Sequence, residues 1–176
     1  PFDTRLHRSD VTYLGIPLAQ MCNDTFKGVR ERILMKNIAY AGALAALLGI
    51  ELDPAQEACK EAAQGQVVAV ANDNGGGQVV VSGHKEAVER TIEAAKAKGC
   101  KRGMLLPVSA PFHCPLMQPA ADAMKDALEK VTLSTPSVPL IANVLASEIT
   151  NPADIKQRLV EQVTGLVRWR ESVQYM

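Results

Sequence analysis

One histidine lies in the stretch LPVSAPFHCPLMQPAADAM (residues 106–124), where an apolar strand-like run is followed by a proline-containing loop and an alanine-rich helix. His113 stands between Phe112 and Cys114 in that loop, and loops of this kind often hold functional side chains. A neutral imidazole could take a proton from a hydroxyl nucleophile while a carbonyl or carboxylate holds its other ring nitrogen. The alternative is a histidine that only caps the helix or completes the loop, and these residues alone leave both interpretations open.

A glycine-rich segment, NDNGGGQ (residues 72–78), could bind an anion, because successive backbone N–H groups in such turns form anion sites. It fits neither of the common phosphate-binding motifs, G-x-x-x-x-G-K-[ST] and G-x-G-x-x-G, and it precedes a predicted strand instead of a helix. A tight hairpin turn is therefore favoured over a phosphate site. Asn72 and Asn74 could still present their side-chain amides to a ligand.

Two arginines, Arg30 and Arg32, lie in VRERILM (residues 29–35), which is predicted to be helical. A guanidinium on such a helix could bind a carboxylate through two parallel hydrogen bonds, but most arginines in this setting are simply solvated. Trp169 stands between two further arginines. It is predicted to anchor a core and not to stack on a ligand.

The elements that must position these residues follow a regular order from residue 42 onward. The run 42–50 could be a helix by composition, but its length and its closing glycine favour a buried strand. The pattern then predicts a helix at 53–65 capped by Asp53, a strand at 66–71, a turn at 72–77, a strand at 78–83, a helix at 84–99 and a strand at 102–110. This β-α-β-β-α-β order is that of the ferredoxin-like unit, a four-stranded antiparallel sheet covered by two helices.

The remaining segments are predicted to belong to a larger α/β layer. Helices are expected at about 115–130, 152–164 and 168–176, with an extended run, VPLIANV, at 138–144. These pieces are too few to form a second sheet alone. Residues 1–41 have a less regular pattern, and both ends of the chain are interpreted as cut. The fold class is therefore α/β with an α+β insert.

Composition excludes several classes of function. The 176 residues include 19 Lys plus Arg and 19 Asp plus Glu, so the formal charge of zero gives no general attraction for nucleic acid or for a membrane surface. Apolar residues make up 47% of the chain and aromatic residues only 4%. The four cysteines form no C-x-x-C pair, so neither a zinc site nor a disulfide framework is indicated and a cytoplasmic protein is expected.

Four motifs occur in order at compatible spacing: the asparagine pair of 72–74, G-Q-V-V-x-x-G at 77–83, P-V-S-x-P-x-H-C-x-L-M at 107–117, and V-x-W-x-x-S-V at 167–173. On these residues, the chain from about 42 to 176 resembles the malonyl-CoA:acyl carrier protein transacylases of bacterial fatty acid synthesis. The resemblance implies a two-part acyltransferase. Residues 1–41 and 111–176 would form part of an α/β-hydrolase-like core, and residues 42–110 would form the ferredoxin-like subdomain.

The resemblance also implies roles for named residues. In this family a serine on a G-H-S-x-G turn attacks the malonyl thioester, and a histidine that matches His113 activates that serine. The malonyl-enzyme then passes its acyl group to the phosphopantetheine thiol of acyl carrier protein. Arg32 is the best match to the arginine that pairs with the malonyl carboxylate, and Asn72 matches an asparagine bordering the active site. Phe112 resembles the bulky residue that crowds an α-methyl group and so favours malonyl.

As implied by the resemblance, the expected partners are malonyl-CoA as substrate and acyl carrier protein as acceptor, with no cofactor, in a cytoplasmic monomer of lipid metabolism. The chain has no G-H-S-x-G sequence. We therefore expect the chain as given to be incomplete and inactive by itself. The alternative function is a non-catalytic ferredoxin-like module that docks carrier protein or a small metabolite.

Overall fold

The computed structural model describes residues 42–108 and 110–176 of the chain. Their first part is a β-α-β-β-α-β series: β1 Gly42–Leu48, α1 Leu52–Ala63, β2 Val68–Gly75, β3 Gln78–His84, α2 Lys85–Ala97 and β4 Arg102–Leu105. The four strands form one sheet in the order β2-β3-β1-β4, and every neighbouring pair is antiparallel. The predicted order of strands and helices is confirmed for this part.

The run 42–50 forms the interior strand β1 because apolar side chains line both of its faces. Ala45 and Leu47 belong to the main core, whereas Leu44 belongs to a smaller cluster with Ala71 and Val80. The main core combines side chains from strands and helices: Ala45, Leu47, Ile50, Ala55, Ala58, Cys59, Val70, Val79, Val81, Val88, Ile92, Ala95 and Cys100. Helix α2, predicted at 84–99, packs on this core through Val88, Ile92 and Ala95, which are all buried.

Several element boundaries differ from the sequence-based prediction. Strand β2 continues to Gly75, through residues predicted to form the turn, and β-bulges interrupt its pairing with β3. Strand β4 ends at Leu105 instead of residue 110, and Pro107, which has no N–H to donate, stands just beyond it. Helix α1 begins at Leu52, so Asp53 does not cap the helix as predicted. It lies in the first turn, where its negative charge interacts favourably with the helix dipole.

The second part contains a short 3-10 turn at Pro115–Met117, followed by α3 Gln118–Glu129, β5 Leu140–Ala142, β6 Ser147–Ile149, α4 Pro152–Thr164 and α5 Trp169–Tyr175. The three predicted helices are confirmed, and β5 pairs with β6 in an antiparallel hairpin. The extended run is shorter than predicted, and β6 was not predicted. Within the described ranges, no helix has both the length and the apolar character needed to cross a bilayer.

The prediction that Trp169 anchors a core is wrong. Its side chain is 48% exposed at the first position of α5, and the buried residue of that helix is Ser172. The Ser172 hydroxyl, which has one proton to donate, lies 3.0 Å from Asn143 Oδ1 and 2.8 Å from the carbonyl oxygen of Arg168, both within hydrogen-bond distance. Helix α5 is therefore held against the β5–β6 turn by polar contacts and not by its tryptophan.

The buried thiol of Cys59 should make stability fall at alkaline pH. Burial raises the pKa of this thiol from 9.0 to about 12, although a hydrogen bond with Thr91 acts in the opposite direction. Between pH 9 and about pH 12 the unfolded chain has lost this proton and the folded chain keeps it, so the free energy of unfolding falls as pH rises. The expected slope from this residue approaches about 1.4 kcal/mol per pH unit, measured by urea unfolding across this range.

A Cys59→Ala variant provides the control for this alkaline slope. Other groups that titrate in the same range affect both proteins equally, so the difference between the two slopes isolates the thiol. Identical slopes in the variant and the wild type would show that Cys59 is not held in the protonated state by the core.

Candidate active site

The loop that holds His113 is fixed by buried residues on either side of it. Pro111 and Cys114 are fully buried, whereas Phe112 is 40% exposed. Pro111 packs against the start of β1, where a Cβ on Gly42 would lie only 2.4 Å from the Cβ of Pro111. The Cys114 thiol donates to the carbonyl of Pro111 at 3.2 Å, and burial raises the pKa of this thiol. A glycine at residue 42 is thus required for Pro111 to pack against β1 and hold the loop next to the small sheet.

His113 is half-buried and has a left-handed backbone conformation, with φ of 58°. A non-glycine residue in this region costs about 1–3 kcal/mol and persists only where the surroundings hold it there. The Nδ1 atom of its ring lies 2.8 Å from the carbonyl oxygen of Gln162. Because a carbonyl oxygen can only accept, the neutral ring has its proton on Nδ1 and a free lone pair on Nε2. This arrangement leaves Nε2 able to accept a proton from another group.

The acceptor of this hydrogen bond lies in the last turn of α4. The side chain of Gln162 donates to the carbonyl of Gly165 at 3.0 Å, and the Gly165 N–H donates to the carbonyl of Glu161 at 2.9 Å. At its other end, α4 begins with Asn151, whose side-chain oxygen accepts a hydrogen bond from the N–H of Ala153 at 2.8 Å. Local hydrogen bonds thus define both ends of the helix that presents the Gln162 carbonyl.

The chain that leaves α4 pairs with the edge of the small sheet. The N–H of Val167 donates to the carbonyl of Ala71 at 2.8 Å, and the N–H of Asp73 donates to the carbonyl of Val167 at 3.0 Å. These two bonds form a parallel bridge between Asn72 and Val167. The residues that follow α4 therefore connect the histidine's acceptor to strand β2.

The three sequence-predicted site residues have different positions relative to this arrangement. His113 contacts the carboxyl end of α4, and Asn72 lies half-buried on β2, opposite Val167. Both are thus connected to one short segment, residues 162–167, although within residues 42–108 and 110–176 no hydrogen bond joins their two side chains. Arg32 and Arg30 lie outside the described residues. Within residues 42–108 and 110–176, no group of three or more His, Cys, Asp or Glu side chains could hold a metal ion.

Two contacts of this region could not be found from the sequence. The Gln162 acceptor is a backbone carbonyl, which every residue has, so no residue type marks it. The ion pair of Asp73 with Arg170 joins residues 97 positions apart in the chain. The only sequence signal near it was the polar NDN segment, which was interpreted as a turn.

Comparisons with known proteins identify the family of this chain. The family model described as "Acyl transferase domain" matches residues 26–175. Malonyl CoA-acyl carrier protein transacylase of Escherichia coli strain K12 is 50% identical over 135 residues, which are 77% of this chain and 44% of that protein. The protein of the same name from Bacillus subtilis strain 168 is 42% identical over 154 residues, 85% of this chain and 49% of that protein. The chain thus spans about half the length of the curated relatives it matches.

Solved structures of malonyltransferases have a fold similar to that of this chain. The crystal structure of an acyl carrier protein S-malonyltransferase from Vibrio cholerae has a TM-score of 0.77 and 42% identity, covering 83% of this chain and 49% of that one. A malonyl-transacylase in complex with its type II PKS acyl-carrier protein has a TM-score of 0.76 and 42% identity, covering 81% of this chain and 47% of that one. The mixed α/β arrangement with its antiparallel sheet is therefore one found in malonyltransferases.

Proposed function

Because this chain belongs to the acyl transferase domain family, we propose that it supplies the general base of an enzyme that transfers malonyl groups from coenzyme A to acyl carrier protein in fatty acid biosynthesis. The observation on which this proposal rests is the 2.8 Å contact between His113 Nδ1 and the Gln162 carbonyl. It holds the imidazole in the form that has a free Nε2 lone pair. A general base for a hydroxyl nucleophile needs this form.

The proposed reaction has two halves that use the same ring nitrogen. In the first, Nε2 of His113 takes the proton from the serine hydroxyl of a G-H-S-x-G turn outside this sequence, and the serine oxygen attacks the malonyl thioester. The imidazolium then returns the proton to the departing thiolate of coenzyme A, leaving a malonyl-serine ester. In the second half the phosphopantetheine thiol of the carrier protein gives its proton to Nε2 and its sulfur attacks the malonyl ester; the C–O bond to serine breaks, and the imidazolium returns the proton to the departing serine oxygen. The Gln162 carbonyl orients the ring and stabilises the imidazolium in both halves.

Three other residues are given roles in this proposal. Phe112, exposed directly before His113, would crowd an α-methyl group and so favour malonyl over methylmalonyl. Asn72 would border the acyl site, and Arg32 would pair with the free malonyl carboxylate through a bidentate contact. The proposed enzyme needs no cofactor besides its substrate malonyl-CoA, and works as a monomer in the cytoplasm.

The proposal extends to the organisation of the chain. The strand order β2-β3-β1-β4 with two helices supports a ferredoxin-like subdomain over residues 42–110. Residues 111–176, with residues 1–41, would belong to the α/β-hydrolase-like core. The active site would then lie where the His113 loop leaves the subdomain.

A chimera tests this function directly. In the Escherichia coli relative, the 135 matched residues are replaced by those of this chain, so that the relative supplies its own nucleophile segment. We expect the chimera to form a malonyl adduct, detected by intact-mass spectrometry after incubation with malonyl-CoA, and to pass malonyl to holo acyl carrier protein. The chain alone is expected to form no adduct, because it has no G-H-S-x-G serine.

A folded chimera that forms no adduct would contradict the proposed function. If that chimera nevertheless bound carrier protein, the chain would instead be a docking module without a catalytic role. Circular dichroism and cooperative urea unfolding distinguish a folded, inactive chimera from one that has failed to fold.

A further inference from the structure

A carboxylate is buried near the end of β2, where the sequence predicted a tight hairpin turn. Asp73 is only 3% exposed. Its Oδ2 accepts a hydrogen bond from Arg170 Nε at 2.9 Å and lies 2.8 Å from Nη2 in the same ion pair, and its Oδ1 accepts a hydrogen bond from the N–H of Gly75 at 3.2 Å. A buried charge is costly unless it is paired and hydrogen-bonded, and here one ion pair and two hydrogen bonds meet that requirement. Asp73 is therefore held in one position.

The end of the strand is shaped to fit the arginine. Gly75 has a φ of 78°, and a Cβ added there would lie 3.2 Å from Cγ of Arg170 and 3.3 Å from its Cβ. The arginine stem thus lies directly over the glycine. The backbone of β2 and the side chain of Arg170 fit each other closely, so the pair also fixes where α5 begins relative to the strand.

Asp73 holds the segment after α4 through its backbone as well. Its N–H donates to the carbonyl of Val167, three residues before Arg170. Gln162, whose carbonyl accepts from His113, is five residues before Val167, and its own side chain bonds to Gly165. A short, hydrogen-bonded stretch of chain therefore runs from the Asp73–Arg170 pair to the acceptor of the histidine.

We propose that Asp73 and Arg170 are positioning residues for His113. By fixing residues 162–170 on the edge of β2, they hold the Gln162 carbonyl at Nδ1 of the ring and so set which nitrogen has the proton. The left-handed backbone of His113 also depends on the contact with Gln162, because a strained conformation persists only where the surrounding structure constrains it. This inference rests on the proposed function only in taking His113 as the base.

The test measures the proton position on the His113 ring in the full chain by ¹⁵N NMR at alkaline pH, where the imidazole is neutral. The main variant is the double substitution Asp73→Asn with Arg170→Met, which keeps an apolar stem over Gly75 and leaves no unpaired buried charge. Arg170→Met alone and the conservative Arg170→Lys are measured beside it. The matched control is Lys85→Met, which removes one positive charge from an exposed pair with Glu89.

In the wild type and in Lys85→Met we expect the Nδ1–H form to predominate. The double variant and Arg170→Met are expected to lower the ratio of the Nδ1–H to the Nε2–H form by roughly fivefold, the change expected for the weakening of one hydrogen bond. Arg170→Lys should recover part of that loss. A general loss of stability would not by itself change this ratio in molecules that remain folded.

The possible failures are distinguishable. If the double variant stays folded and its ratio equals that of the wild type, the positioning role is overturned and the proposed function is untouched. If the wild type itself has the proton mainly on Nε2, the base proposed for catalysis is not available, and both proposals are overturned.

Discussion

Replacing His113 with alanine in the Escherichia coli chimera is expected to lower kcat for malonyl transfer by about 10³- to 10⁴-fold. The imidazole takes and returns a proton in both halves of the proposed reaction, so no step of the cycle avoids the loss. In the proposed reaction the ring exchanges protons with the nucleophile and the thiols and is given no part in binding malonyl-CoA, so KM for malonyl-CoA should change far less than kcat. Initial rates of transfer to holo acyl carrier protein, measured at saturating malonyl-CoA, give both quantities.

His84→Ala is the matched control for this experiment. His84 is the other described histidine, and its Nδ1 accepts a hydrogen bond from the N–H of Val67 at 3.0 Å, at the start of α2. Its loss should lower stability and leave kcat nearly unchanged. If a folded His113→Ala chimera kept kcat within about tenfold of the parent, the general base would have to be another group.

Replacing Leu47 with alanine is expected to lower the free energy of unfolding by about 3 kcal/mol. Leu47 has no exposed surface and lies on the interior strand β1, within the core that the sheet shares with α1 and α2. Removing most of its side chain loses the free energy of burial and leaves a cavity that β1, bonded to a strand on each side, cannot easily close. Urea unfolding of the full chain measures the change.

Leu105→Ala provides the comparison for this core substitution. Leu105 is 43% exposed on the edge strand β4, so the same chemical change should cost less than about 1 kcal/mol. Equal losses at the two leucines would mean that the main core does not lie between β1 and the two helices.

The sequence was sufficient for those elements whose signals are local. The β-branched runs of β2 and β3 and the glycine after α2 mark their elements within a few residues, and so does the Asn151–Pro152 start of α4. An apolar stripe then identifies the buried face of α2. These patterns predicted the order of elements in the small sheet because neighbouring residues determine each of them.

The sequence was insufficient wherever distant residues decide the structure. Strand β2 continues through the NDN segment because Asp73 bonds to Val167 and Arg170, which lie far along the chain. Hairpin β5–β6 turns at residues with little intrinsic preference for a turn, including Ala146 with a φ of 54°. Trp169 was predicted to anchor a core, but on α5 its side chain is 48% exposed.

The same distinction between local signals and distant contacts applies to the candidate site. His113 was identified from its loop, and Asn72 and Arg32 from the family resemblance. The contact that gives His113 its proposed chemistry is made by a backbone carbonyl, so only three-dimensional structure could reveal it. The roles of Asn72 and Arg32 stay predictions, and Arg32 lies outside the described residues.

The most direct test of the account is the ¹⁵N spectrum of the His113 ring in the unmodified chain, recorded at alkaline pH. The hydrogen bond to the Gln162 carbonyl predicts a neutral ring with its proton on Nδ1 and an unprotonated Nε2. A ring with its proton mainly on Nε2, or one that exchanges freely between the two forms, would contradict the claim that this chain holds a general base ready for an alcohol.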